Sequence, residues 1–143
     1  MIRLSNDVLI RRPASTVFAY LANLENLPRW NYAIRQTKQV SAGAVGAGTI
    51  YRQVRSLPHP MNETIAVAEY EPDRRLVFCG GLGAFGGSSA YQLESVGDAT
   101  RLVNEVELTA SGPRAALAGV ARHAIKHAVA QNLGVLKTIL EDA

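Results

Sequence analysis

Residues 111–143 read SGPRAALAGVARHAIKHAVAQNLGVLKTILEDA, and the rest of the chain is arranged around them. From Pro113 to Asp142 the stretch is one uninterrupted helical pattern, about 45 Å long at 1.5 Å of rise per residue. Ser111 or Gly112 can cap its start, and Pro113 suits a first turn, where a missing N–H costs nothing. Spacing residues about 100° apart gathers Leu117, Val120, Ala121, Ala124, Ile125, Ala128, Val129, Val135, Leu136 and Ile139 on one broad side. Lys126, Lys137, His123, His127 and Glu141 fall opposite. The first half of the apolar side carries alanine where a helix packed tightly on a sheet more often carries leucine. Small side chains leave room for bulky groups opposite or for a ligand, so the helix is expected to cover a cavity.

The totals fit a globular chain. Of 143 residues, 48% are apolar and 19% charged, a composition that buries a core and does not stay disordered. One domain spanning residues 1–143 is expected. No run of apolar residues is long enough to span a bilayer, and MIRLSNDVLIRRP lacks the continuous apolar core of a signal peptide, which points to the cytoplasm. The single cysteine, Cys79, makes no internal disulfide and no cysteine-based zinc site. A net charge of +3 raises nucleic acid as a partner, but the basic residues are scattered, with Arg11–Arg12 and Arg74–Arg75 the adjacent pairs. Nucleic-acid binders concentrate such residues on one face among stacking aromatics, so a mildly basic surface is the better account.

Taken in order, residues 2–10 alternate Ile2, Leu4, Val8 and Ile10 onto one side, a strand half facing a core. Pro13 ends it. From Ala14 to Leu24 the period changes, and Val17, Phe18, Leu21, Ala22 and Leu24 define a short amphipathic helix. A second helical turn, Asn26–Asn31, is broken by Pro28 and carries the only tryptophan, Trp30, read as a core anchor able to touch a ligand. Six strands follow: Ile34–Val40, Gly48–Arg55, Met61–Tyr70, Arg75–Cys79, Ser88–Val96 and Thr100–Ala110. Short turns between them require an antiparallel meander, because parallel pairs need long crossovers. The expected fold is α+β: a curved seven-stranded antiparallel sheet wrapped around the long C-terminal helix, with two short helices after the first strand.

One motif misleads. Gly81-Leu82-Gly83-Ala84-Phe85-Gly86 matches GxGxxG, whose chemistry needs a helix N-terminus next to hold a pyrophosphate. The sequence that follows, SSAYQLESV, alternates as a strand. A glycine loop with Phe85 as its apolar tip, able to gate a cavity, is the expectation. His123 and His127 lie four apart but on the charged helix face, so no metal is expected. No nucleophile signature is present, and Cys79, ending an apolar strand, reads as a small buried residue.

The informative residues are polar ones that should face inward. Asn104 shares a strand face with Leu102, Val106 and Leu108, and Asn132 falls in the helix's apolar arc. Tyr91 shares the inner face with Leu93. Tyr51 competes for the core face with Ile50 and Val54, leaving its register open. Each can be a structural tie or a ligand handle. Together they describe an apolar chamber with a few polar handles, and no buried acid–base pair is apparent. Arg122, at the edge of the apolar side, can meet a carboxylate at the cavity mouth or simply lie exposed with a packed stem.

Several further patterns are similar to a known family. They are Val8-x-Ile10, Arg12-Pro13-Ala14, Val17-Phe18-x-x-Leu21, Leu27-Pro28-x-Trp30-Asn31, Gly48-Thr49, Tyr70-Glu71-Pro72-x-x-Arg75-Leu76, Gly97-x-x-Thr100-Arg101-Leu102, Ser111-Gly112-Pro113 and Leu136-Lys137-x-x-Leu140-Glu141. Over essentially the whole chain they resemble SRPBCC proteins, the START-like, helix-grip superfamily, of the polyketide cyclase/dehydrase-like kind. The resemblance implies a deep cavity for a hydrophobic ligand between sheet and helix. Members include lipid carriers, hormone receptors and aromatase/cyclases, whose catalytic groups vary, so no catalytic set carries over. The expected role is a carrier or sensor for a lipid-like, aromatic or polyketide-like molecule held by Trp30, Tyr51, Phe78, Phe85, Tyr91, Asn104, Leu117, Ala121 and Ala124, with no cofactor. The alternatives are a cyclase or dehydratase using the same polar groups and a module that offers its groove to a protein partner. A homodimer is compatible with the sequence.

Overall fold

The computed structural model describes residues 2–110 and 112–143; the Ser111 capping assignment therefore lies outside the described residues. The elements are β1 (Ile2–Ile10), α1 (Ala14–Ala22), a 3₁₀ turn (Leu24–Asn26), α2 (Leu27–Trp30), β2 (Ile34–Gln39), β3 (Ile50–Arg55), β4 (Met61–Glu71), β5 (Arg75–Gly80), β6 (Gly86–Val96), β7 (Ala99–Thr109) and α3 (Pro113–Glu141). All seven strands form one antiparallel sheet in the order β1-β7-β6-β5-β4-β3-β2. The meander runs from β2 to β7, and β1 joins at the β7 edge with Val8 opposite Leu102. Register shifts at Ile34/Gln36 in β2 and Val67/Glu69 in β4 break the regular ladder, the kind of irregularity that bends a sheet. The result is the helix-grip arrangement, an open sheet with the long helix on one side.

Alternation along the strands puts one set of side chains in the core. Ile10, Tyr51, Ile65, Leu76 and Leu102 are fully buried together with Val17 and Leu21 of α1 and Leu24 of the 3₁₀ turn. Leu133, Leu136 and Leu140 from the C-terminal half of α3 complete this cluster, each contributing about 1.5–3 kcal/mol of apolar burial. The register of β3 is resolved in favour of Tyr51 and Gln53, which are buried while Ile50 and Val54 are only half-buried.

The helix sits differently from its expected phase. Val120 is 82% exposed and Val135 is also exposed, whereas Ala118 and Leu133 turn inward; Asn132 is buried, as its place in the apolar arc predicts. The cause is the edge strand. α3 packs along β1, and its cations bond to carbonyls that no further strand covers: Arg122 Nη2 to Arg3 O (3.2 Å), Lys126 Nζ to Ser5 O, and Lys137 Nζ to Leu9 O (2.5 Å). Lys126 and Lys137 thus lie against the sheet edge, not opposite it, and Arg122 does not reach the cavity mouth. Unpaired strand edges are a liability that charged side chains blunt. At the helix end Glu141 Oε2 accepts from Lys137 (2.7 Å) and from the Arg11 amide (2.8 Å). Cys79 is also corrected: it is exposed, because Phe78 takes the inward position of β5 and the next residue must point out.

Candidate functional site: the cavity beneath the long helix

Only the C-terminal half of α3 seals the core. Its N-terminal half is tied to the β1 edge through Arg122 and Lys126, and between it and the inner strands its alanines leave a cavity of about 610 Å³, within the range of about 300–1,000 Å³ for small-molecule pockets. Leu117, Ala121, Ala124, Ile125, Ala128 and Val129 line it from the helix, and Ile65, Phe78, Val106 and Leu108 from the sheet. Tyr32, Leu57 and Leu117 line it yet remain exposed, which marks the mouth. The loop Gly81–Phe85 forms part of the rim. Gly81 and Gly83 adopt φ of 70° and 69°, angles that favour glycine, and the loop runs directly into β6. The GxGxxG match therefore has no helix N-terminus behind it.

Of the residues singled out from sequence, Trp30, Phe78, Phe85, Tyr91, Asn104, Leu117, Ala121 and Ala124 all line this cavity. Tyr51 does not. It is fully buried in the core beside it, where burial raises its phenol pKa. Trp30 is both a core anchor and a wall: its ring meets Tyr91 edge-on at 6.3 Å, and Phe78 lies 6.0 Å from the same tyrosine.

The polar groups on the sheet side come from two neighbouring strands, since Tyr91 pairs directly with Asn104. Asn104 Nδ2 donates to Ser89 Oγ at 3.0 Å and to Ala90 O at 3.1 Å. Both of its N–H groups are therefore used within the protein, and what it presents to the cavity is an oriented Ser89 hydroxyl. Ser89 was not among the sequence candidates; its place two residues before Tyr91 on the same strand face was the available signal. Burial pushes the Tyr91 phenol up to about 12, with the neighbouring Ser89 hydroxyl offsetting part of that rise, so at neutral pH it remains an O–H donor. Asn132 lines the helix side, and its Oδ1 is buried with no hydrogen-bond partner among the described residues.

Sequence reasoning missed one charged pair. Arg55 Nε meets Glu63 Oε1 at 2.8 Å, with the two side chains only 13% and 6% exposed. Gln53 Nε2 donates to the same carboxylate oxygen (2.9 Å) and in turn its Oε1 accepts from Thr37 Oγ1 (3.2 Å). The pair also holds the rim loop, because Arg55 Nη2 donates to Gly81 O (2.7 Å) and the Gly83 amide donates to Glu63 Oε2 (2.7 Å). Gln53 and Arg55 line the cavity. Arg55 was invisible because its strand had no settled register, and Glu63 because β4 carries polar residues on both faces. Among the described residues no cluster of three or more His, Cys, Asp or Glu is placed to hold a metal ion. Nor is any described helix long and apolar enough to cross a membrane.

The sequence profile of the family described as polyketide cyclase / dehydrase and lipid transport matches residues 1–141. The chain belongs to this family. No curated protein matches this family member in sequence. Among solved structures it is similar to the Zhui aromatase/cyclase from Streptomyces sp. R1128, with a TM-score of 0.78 at 13% identity, covering 98% of this chain and 93% of that one. A START superfamily protein from Mycobacterium smegmatis gives 0.68 at 18% identity, covering 98% and 94%. The protein TTHA0849 from Thermus thermophilus gives 0.73 at 19% identity, covering 99% and 95%. At these identities the likeness is one of fold, and this polyketide cyclase/dehydrase family member shares the helix-grip fold of those structures.

Proposed function

We propose that this protein binds a hydrophobic small molecule in the cavity between the sheet and α3, as a carrier or sensor for a lipid-like, aromatic or polyketide-like ligand. The observation that carries the reading is the cavity itself: about 610 Å³, walled by Trp30, Phe78 and the alanines of α3, with Ser89, Tyr91 and Asn104 grouped on one side. Apolar burial at roughly 25 cal/mol per Å² supplies the affinity, and the few polar groups orient the ligand. The test is uptake of the neutral fluorophore N-phenylnaphthylamine. Wild-type protein should enhance its emission saturably, and Ala121→Trp, which fills the helix side of the cavity, should abolish the enhancement while leaving the thermal melt intact. Unchanged uptake by Ala121→Trp would remove the cavity from the account.

A cyclase or dehydratase reading has one specific support, the Ser89–Asn104 hydrogen bond with Tyr91 beside it, which can polarise a bound carbonyl. Tyr91 retains its proton at neutral pH, and Glu63, the carboxylate paired with the lining residue Arg55, is also engaged by Gln53 and the Gly83 amide. Such a site would act by positioning and hydrogen-bond donation, not by strong general base catalysis.

A further inference from the structure

The balance of charge inside the cavity bears on the ligand's chemical class. Among the described lining residues the basic side chains are Arg55 and His59, and none is a carboxylate. His59 is exposed at the mouth. Arg55 is already neutralised, with Nε 2.8 Å from Glu63, Nη2 2.7 Å from Gly81 O and Nη1 3.3 Å from Leu57 O. The polar groups deeper in are hydroxyls and amides. Ser89 is buried and its Oγ accepts from Asn104, which leaves its own proton to donate, and the Tyr91 O–H lies beside it. A carboxylate brought to this spot would find hydroxyl donors but no free cation, and a buried ion without a counter-charge is expensive. A neutral oxygen would be fully served by the same donors.

On this basis, and resting on the binding reading above, we infer that the buried end of the ligand carries an uncharged hydrogen-bonding oxygen. A ketone, ester carbonyl, phenol or alcohol would be received there by Ser89 and Tyr91, and carboxylates are discriminated against at that end. Glu63 acts in this at one remove, by cancelling the charge with which Arg55 would otherwise attract an anion.

The experiment compares decyl methyl ketone with laurate, equal in carbon number, by calorimetric titration at neutral pH. The ketone should bind the wild type at least about tenfold more tightly, the scale of one uncompensated polar burial. Ser89→Ala should weaken the ketone about three- to tenfold and leave laurate unchanged, narrowing the gap. Glu63→Gln, which keeps an acceptor for only one of Gln53 and the Gly83 amide but frees the Arg55 charge, should strengthen laurate by about threefold or more. If Glu63→Gln fails to fold, the wild-type ratio and Ser89→Ala still decide. Laurate binding as tightly as the ketone would overturn the inference while leaving the cavity a binding site. Binding of neither would overturn the binding reading and this inference with it.

Discussion

Glu63→Ala should destabilise the protein by about 3 kcal/mol, the lower part of the range of about 3–5 kcal/mol for breaking a buried ion pair. The carboxylate and guanidinium meet at 2.8 Å with side chains 6% and 13% exposed, so removing Glu63 leaves a mostly buried cation without its partner. It also strips an acceptor from Gln53 Nε2 and from the Gly83 amide. The lower part of the range applies because Arg55 keeps some contact with water and with the carbonyls of Leu57 and Gly81. For a chain of this size the loss corresponds to a fall in Tm of about 6–12 °C. Replacing both partners, Arg55→Met with Glu63→Leu, should recover only part of the loss, about 1–2 kcal/mol, because no unpaired charge remains while Gln53 Nε2 and the Gly83 amide still lack their acceptor. Urea unfolding of the two single variants and the double variant measures the coupling, and amide exchange at Gly83 reports whether the rim loop has come loose. A Glu63→Ala cost below about 0.5 kcal/mol, the scale of an ordinary surface substitution, would refute the reasoning.

The remaining expectations concern titration, the sheet edge and the aromatic wall. Tyr91, pushed up to about 12 from an ordinary 10.0, favours the folded state while both states are protonated. That contribution is full below about pH 10 and is lost as pH rises towards 12, because the unfolded chain ionises first. Ultraviolet titration should show a late-ionising phenol that disappears in Tyr91→Phe; a titration curve the same in both proteins would contradict the assignment. Glu141 is shifted the other way, lowered first by its hydrogen bond from Lys137 and then by the Arg11 amide. Its contribution is present above the ordinary carboxylate value and lost as pH falls through the lowered one, so Glu141→Gln should flatten the acid limb of the stability curve. Lys126→Met combined with Lys137→Met should cost about 1–2 kcal/mol in urea unfolding by baring the β1 carbonyls; no change would mean that water serves that edge equally well. Trp30→Ala should cost about 3–5 kcal/mol as a buried aromatic truncation and weaken probe uptake as well, whereas loss of uptake without loss of stability would make Trp30 a ligand contact only.

The architecture was legible because its signals are periodic. Alternation in residues 2–10 and 99–109, the short turns of the meander and the uninterrupted helix after Pro113 each leave one reading. The cavity was legible through Ala121 and Ala124, small residues where a packed helix would carry large ones. What escaped were features that depend on where a surface ends. A helical wheel treats Lys126 and Lys137 as solvent-facing, because nothing in it records that β1 is an edge strand whose carbonyls need donors. Val120 and Val135 were drawn inward by their apolarity, although α3 is rotated by its docking on that edge. Arg55 and Glu63 escaped because hydropathy assigns charged residues to the outside, and only the pairing of β3 with β4 brings them together. Asn104 was found as an inward polar residue, but that its amide protons are spent on Ser89 and Ala90 is a fact of register between β6 and β7.

Native mass spectrometry of the protein as purified, followed by denaturing extraction, tests the central claim most directly. The account predicts one equivalent of an uncharged, largely apolar small molecule bound to the folded chain and released on unfolding. A protein that emerges ligand-free, and remains so after incubation with neutral apolar probes, would contradict it.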